Sequence, residues 1–313
     1  MRAVLTLLFA AGCSQPLYFE HVSTLTHETD GVVLHGESGQ ATAGMSDQVC
    51  TVQTTGGNAG VVVDYDFTEG AEHVEDMFNG AVLVRSDEGL HFIDDVHGFA
   101  ETEAVAGVQQ ARFADSGVVM LRNEAGCEVV WKGLHGESAV ALDSEYCLDD
   151  VSFDVDPVEG IAYVAGPSVL QVSPEGAFEL TETGTHIAVD PLSGTLYVGA
   201  KNAVSAFDDG ALSWESEVKG TLLSVATYGP GGSVIIGSKL DNGFGRIEVH
   251  DNSDGHTIDD QSLPEGGEVL SSEDGDMVVV VLEDEAQFFT VTEDGKPPMS
   301  LAPTSDSPTR FID

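Results

Sequence analysis

Short apolar runs recur along the chain, each long enough for one strand and each broken by Gly, Asp or Pro. Two stretches, "FDVDPVEGIAYVAG" (153–166) and "IAVDPLSGTLYVG" (187–199), are near copies of one another. In the later copy Ile187, Ala188 and Val189 have the short apolar pattern of a buried strand, and Asp190-Pro191 breaks it. Pro fixes φ and lacks an N–H, while Asp bonds the backbone of its neighbours. Gly194 then supplies a permissive backbone for the turn, and Thr195 to Val198 resume a strand. Asp156-Pro157, Gly160 and Tyr163-Val164 repeat the same order in the earlier copy.

Looser copies flank this pair. The stretches "EDMFNGAVLV" (75–84), "RFADSGVVML" (112–121), "TYGPGGSVIIG" (227–237) and "SSEDGDMVVVVL" (271–282) each place a glycine between two apolar runs. The six turn glycines, at 80, 117, 160, 194, 232 and 275, are separated by 37, 43, 34, 38 and 43 residues. A unit of about 40 residues built from strands alone belongs to propeller blades.

The rest of each unit agrees. A third apolar run follows every pair: "LHFID" (90–94), "CEVVW" (127–131), "VLQVS" (169–173), "AVSAF" (203–207), "RIEVH" (246–250) and "AQFFTV" (286–291). Weaker fourth strands follow, such as "SAVAL" (138–142) and "FELTE" (178–182), as the polar rim of a blade requires. No segment of the mature chain keeps a 3.6-residue apolar period, which argues against helical repeats. The pattern predicts an all-β propeller of seven four-stranded blades, with eight as the alternative, occupying residues 30–313.

The chain's end suggests how the last blade is completed. Arg310-Phe311-Ile312-Asp313 aligns with Arg112-Phe113-Ala114-Asp115, so it reads as the innermost strand of a shared blade. "DGVVLHG" (30–36), "QVCTVQT" (48–54) and "GVVVDYDF" (60–67) would supply its other strands, pairing the C-terminal strand with N-terminal ones and removing two free edges. "YFEHVSTLT" (18–26) competes for the innermost place.

"MRAVLTLLFAAGC" has one basic residue, Arg2, and an apolar run from Ala3 to Ala11 that is too short to span a bilayer but suits a secretory signal. Its end, Ala-Ala-Gly-Cys, resembles the bacterial lipobox, with Ala10 where that motif usually has Leu. The resemblance implies a signal peptide over 1–12, cleavage before Cys13, lipidation of Cys13 and a tether over 13–29. Multiple acyl chains give stable anchorage, and Ser14 after the cysteine implies the outer membrane. The folded part would then lie outside the cytoplasm.

Charge narrows the partners. Eleven basic residues against 54 acidic ones give a net charge of −43. Such a field repels nucleic acid and anionic lipid, so neither is expected as a partner. If the lipid uses Cys13, then Cys50, Cys127 and Cys147 remain. Cys127 and Cys147 fall in one proposed blade and form the most local pair for a disulfide in an oxidising compartment, which leaves Cys50 as a free thiol.

Other constellations carry less. His91, Asp94, Asp95 and His97 in "HFIDDVHGF" could form a metal cluster, but they read as a strand followed by a solvated turn. "HDNSDG" (250–255) looks like a calcium loop without the alternation such a loop needs. No G-x-S-x-G elbow and no CxxC occur, so no catalytic residue, cofactor or metal site is expected. Trp131 and Trp214 are expected to pack between blades.

"VDPLSGTLYVG" and "VDPVEGIAYVAG" resemble the YVTN/NHL-type propeller repeats. "AVSAFDDGALSWE" (203–215) is similar to blades of the quinoprotein-like group, which includes quinone dehydrogenases and non-catalytic outer-membrane lipoproteins of the BamB type. The dehydrogenases typically show adjacent cysteines, and no Cys-Cys pair exists here. The resemblance implies a non-enzymatic scaffold that binds an envelope or extracellular protein. The alternatives are a propeller enzyme of the lactonase or lyase type, to which Asp156 and Asp190 could contribute, or carbohydrate or small-molecule binding at the central channel.

Overall fold

A computed structural model describes the strands between residues 18 and 94 and residues 104–271, apart from short turns at 116, 134–135, 149–150 and 229–232. It also describes the strands 277–281 and 285–292, and its side chains are described mainly over 104–267.

The described strands form seven antiparallel sheets, six with four strands and one with three. Six are simple meanders whose strands are adjacent in the order of the chain. The first blade is Val32–His35, Gln40–Gly44, Gln48–Gln53 and Val63–Asp66. The second is Ala71–Phe78, Ala81–Ser86 and Gly89–Asp94, with an isolated bridge from Leu90 to Val105 on its outer side. The third to sixth blades run from Val108 to Ala141, Ser152 to Thr181, His186 to Glu217 and Thr221 to Leu263. The first strand of each lies beside the first strand of the next, and Val32–His35 also adjoins Glu268–Ser271 of the seventh blade. This is a β-propeller.

Of the six expected turn glycines, Gly160 and Gly194 lie between the first and second strands of a blade and Gly117 opens a second strand, while positions 80, 232 and 275 lie outside the described residues. The expected use of the termini is not what the structure shows. The seventh blade, Glu268–Ser271, Met277–Val281 and Glu285–Thr292, takes Tyr18–Thr26 as its outermost strand, in register from Tyr18 opposite Thr292 to Thr26 opposite Glu285. Residues 18–26 are therefore strand rather than tether, and outermost rather than innermost. The edge of Glu285–Thr292, bare without them, explains the pairing. The first blade has four strands within residues 32–66, with Gln40–Gly44 as its second; the expected closing strand is Arg310–Asp313. That segment lies outside the described residues.

The core lies between sheets rather than within one. Strand alternation sends Phe153 and Val155 of the fourth blade into a cluster with Val129 and Trp131 of the third and Tyr146 of the turn that connects them. Tyr163 and Val169 on the other face pack with Ile187, Leu196 and Val198 of the fifth. Tyr197 and Trp214 of the fifth pack with Leu222, Val234 and Ile236 of the sixth. Both tryptophans also bond across a boundary. Trp131 Nε1–H donates to the Gly160 carbonyl at 2.6 Å, and Trp214 Nε1–H donates to the Asn252 carbonyl at 2.6 Å.

Cys127, opening the third strand of the third blade, is joined by a disulfide to Cys147 in the short 3-10 turn Ser144–Cys147, with 5.6 Å between Cα atoms. The bond fastens the connection between the third and fourth blades, where Tyr146 is buried and shares a 2.6 Å hydrogen bond with the Ser168 hydroxyl. The Cys50 side chain lies outside the described residues.

Two outcomes follow. Gly194 has φ +72, and a Cβ there would lie 2.7 Å from Asp156 Oδ2 in the neighbouring turn. Gly243 has φ +88 but open space around it. Both Gly194→Val and Gly243→Val should carry the left-handed backbone penalty of about 1–2 kcal/mol, and Gly194→Val should unfold at distinctly lower urea because of the added clash. Reducing Cys127–Cys147, which encloses a separation of 20 residues, should lower stability by about 3 kcal/mol in urea titrations with and without reductant.

Candidate functional site

The innermost strand of a blade hydrogen-bonds on one side only, so its other edge presents bare N–H and C=O groups towards the centre. Here polar side chains of the adjoining blade meet those groups. Gln110 Nε2–H donates at 2.6 Å to the Val151 carbonyl, just before the first strand of the fourth blade, and Gln109 Nε2–H donates at 2.9 Å to the Cys147 carbonyl in the turn leading to it. Ser152 Oγ accepts from Ile187 N–H at 3.3 Å, Asp154 Oδ2 from Val189 N–H at 2.7 Å, and Ser224 Oγ from Val269 N–H at 2.8 Å. The strand period places these groups. Ser152 and Asp154 alternate with Phe153 and Val155, so the polar pair faces the fifth blade while the apolar pair faces the third.

Asp154 links three blades, because Arg112 Nε of the third lies 3.5 Å from its Oδ1. Burial pushes the Asp154 carboxyl above its ordinary range, and Arg112 and the Val189 and Val155 amides oppose that push. The carboxylate still keeps 23% of its accessible surface.

The two aspartates that could have served catalysis act as turn formers. Asp156 Oδ1 accepts from the N–H groups of Val158 and Glu159 at 2.9 and 3.0 Å. Asp190 Oδ1 accepts from Leu192 N–H at 2.9 Å and Ser193 N–H at 3.4 Å, and its Oδ2 accepts from the Ser193 hydroxyl at 2.7 Å. Both are buried beside tyrosines. Burial, with Asp156 and Asp209 adding, pushes the Tyr163 hydroxyl up to about 12. Burial, with Asp190, Asp208 and Asp251 adding, raises Tyr197 further.

The other candidates separate. His91 is buried in the third strand of the second blade, the Asp94 side chain is not described, and Asp95 and His97 lie outside the described residues. In the loop after His250, ligand atoms of Asp251, Asp254 and His256 lie within 4.8 Å of one another. Local turn bonding accounts for that arrangement. Asp251 Oδ1 accepts from Ser253 N–H at 2.8 Å, and Asp254 Oδ1 accepts from His256 N–H at 3.0 Å and meets His256 Nδ1 at 2.6 Å. Those bonds from His256 hold Asp254 below its ordinary range, and the hydrogen bond to Asp254 raises His256. Gly255 closes the loop against Trp214, where a Cβ would come within 2.4 Å of the indole. Cys13 lies outside the described residues.

Sequence reading missed a buried polar network in "GRIEVH". Arg246, Glu248 and His250 alternate with Ile247 and Val249, a period-2 signal that was open to recognition. Arg246 Nε lies 2.7 Å from Glu248 Oε1, and Arg246 Nη2 lies 2.7 Å from Asp260. His250 Nε2 meets Glu248 Oε2 at 3.1 Å, and its Nδ1 meets the Gly255 carbonyl at 2.9 Å. Burial alone would raise the Glu248 carboxyl, but His250, Arg246 and the Lys219 N–H outweigh it, and the net shift is downward.

No known family pattern matches the chain, and no curated protein matches it. Solved structures share the fold widely, with 808 matching chains, so the fold alone does not select a function. One chain, from the crystal structure of the mitotic checkpoint complex, aligns with a TM-score of 0.66 and 12% identity over 93% of this chain and 98% of its own. Another, from the structure of BBS1N in complex with ARL6DN, aligns with a TM-score of 0.62 and 9% identity over 87% of this chain and 96% of its own.

Because the folded Glu248 carboxyl titrates below its ordinary 4.5, its stabilising contribution is full above that value and is lost as pH falls through the folded pKa. Glu248→Gln should therefore cost about 3 kcal/mol at pH 7 and flatten the acid limb of stability measured by urea unfolding from pH 7 to 3.

Proposed function

We propose that this chain is a non-enzymatic propeller scaffold that binds protein partners and is held outside the cytoplasm by a lipid on Cys13. One observation carries the scaffold reading. Gln110, Ser152, Asp154 and Ser224, on innermost strands of the third, fourth and sixth blades, bond to the backbone of the next blade, and Asp156 and Asp190 hold turns. A propeller wired in this way is a stiff platform presenting loops. The two structural neighbours come from structures of complexes by name.

The extracytoplasmic address draws on different support. The Ala-Ala-Gly-Cys motif ends at Cys13, and the Cys127–Cys147 disulfide suits an oxidising compartment. No helix of the described residues is long and apolar enough to cross a membrane. The partner class is an envelope or extracellular protein, and the net charge of −43 disfavours nucleic acid and anionic lipid surfaces.

The test is a pull-down of the detergent-solubilised native protein from its own envelope, read by mass spectrometry. A reproducible stoichiometric protein is the expected result. Recovery of none across a range of salt concentrations overturns the scaffold reading. In the same fractionation Cys13→Ser should release a folded protein into the soluble fraction, and unchanged membrane association removes the lipid anchor.

A further inference from the structure

In a four-stranded meander the first-to-second and third-to-fourth turns lie at one end of the blade, and the second-to-third turn lies at the other. Six large apolar side chains among the described residues are exposed, between 52% and 66%. Four of them share the first end of the fourth and fifth blades. Val158 and Leu192 occupy the same place in the two Asp-Pro turns, and Phe178 and Leu212 occupy the start of the two outermost strands. The turns do not require these side chains, because Val158 and Leu192 bond Asp156 and Asp190 through their backbone N–H groups.

The four positions belong to one preformed surface. The turn at Gly194 abuts Asp156 in the neighbouring turn, and the turn at Gly210 abuts Gln171 and Leu180 of the fourth blade. Asp208 accepts hydrogen bonds from Thr195 and Ser213, which ties the two turns of the fifth blade together.

Charge decides what covers it. Between Lys132 and Lys201 the chain holds twelve Asp and Glu residues and no Lys or Arg. Glu159, Glu175, Asp208 and Asp209 are exposed in the same turns as the apolar residues. Lys201, Lys219 and Lys239 are exposed at the opposite end of the fifth and sixth blades. A second copy of this chain would bring like charge to like charge, since its net charge is also −43.

We infer that this end of the fourth and fifth blades docks a segment of a partner protein in which Lys or Arg residues flank apolar ones. The inference rests on the scaffold reading and names its surface and the chemistry of its partner. Apolar contact supplies affinity at the centre, and the acidic rim supplies attraction and orientation.

The test uses the purified full chain and two labelled synthetic peptides of equal length and charge, one alternating Leu and Lys and the other Ser and Lys, read by fluorescence anisotropy. The Leu-Lys peptide should bind at least about tenfold tighter, and Val158→Ser with Leu192→Ser should remove most of that difference. Phe178→Ser with Leu212→Ser should do the same through other strands, and Phe244→Ser at the opposite end should change nothing. Equal binding of the two peptides, or an equal loss with Phe244→Ser, overturns the inference. In the envelope pull-down, the chain carrying all four substitutions should lose the partner. A partner retained by that chain overturns this surface and leaves the scaffold reading intact, whereas no partner for either chain defeats the scaffold reading.

Discussion

A propeller blade leaves the inner edge of its innermost strand without a partner within its own sheet, at the centre of the molecule. Where such an N–H or C=O is buried, leaving it unpaired costs about 1–3 kcal/mol. This chain meets the constraint with side chains from the adjoining blade. Gln110 reaches Val151, Ser152 reaches Ile187, Asp154 reaches Val189 and Ser224 reaches Val269. Each bond satisfies an edge and also fixes the angle between two blades. The apolar clusters between sheets supply the larger driving force, but they are non-directional. The side-chain bonds turn a stack of sheets into one registered object.

The same economy governs the scarce cations. Arg122 pairs with Glu128 and Glu137, Arg246 with Glu248 and Asp260, and Arg112 with Asp154. These guanidiniums act as internal struts, a role suited to a planar fork that stays charged. These three arginines are thereby committed to carboxylates within their own or adjoining blades.

How much of this was legible depends on whether a feature is dictated locally. The turn glycines at 117, 160 and 194 were visible because a tight turn makes a demand on the backbone that only a few residues meet. The strand Gln40–Gly44 was missed because "QATAG" alternates only with alanine, which is too small and weakly apolar to mark a buried face. The place of Tyr18–Thr26 was missed for a different reason. Its partner, Glu285–Thr292, is remote in sequence, so the pairing of the two segments leaves no local mark. The site divides in the same way. Asp156 and Asp190 were readable as turn formers, whereas Asp154 as a link among three blades depends on contacts from Arg112 and Val189 that no local pattern encodes.

Because so many chains share this fold, its function has to lie where one blade departs from what the architecture requires. The fourth and fifth blades are the near copies, and their likeness separates the two kinds of position. Asp156 and Asp190, with Gly160 and Gly194, repeat because the turn needs them. Val158 and Leu192 also repeat, though the turn would accept polar side chains there at no cost in hydrogen bonds. Apolar groups held in water at equivalent places on adjoining rigid turns, within a stretch without Lys or Arg, have no role in building the blade. They describe a surface shaped for something outside it.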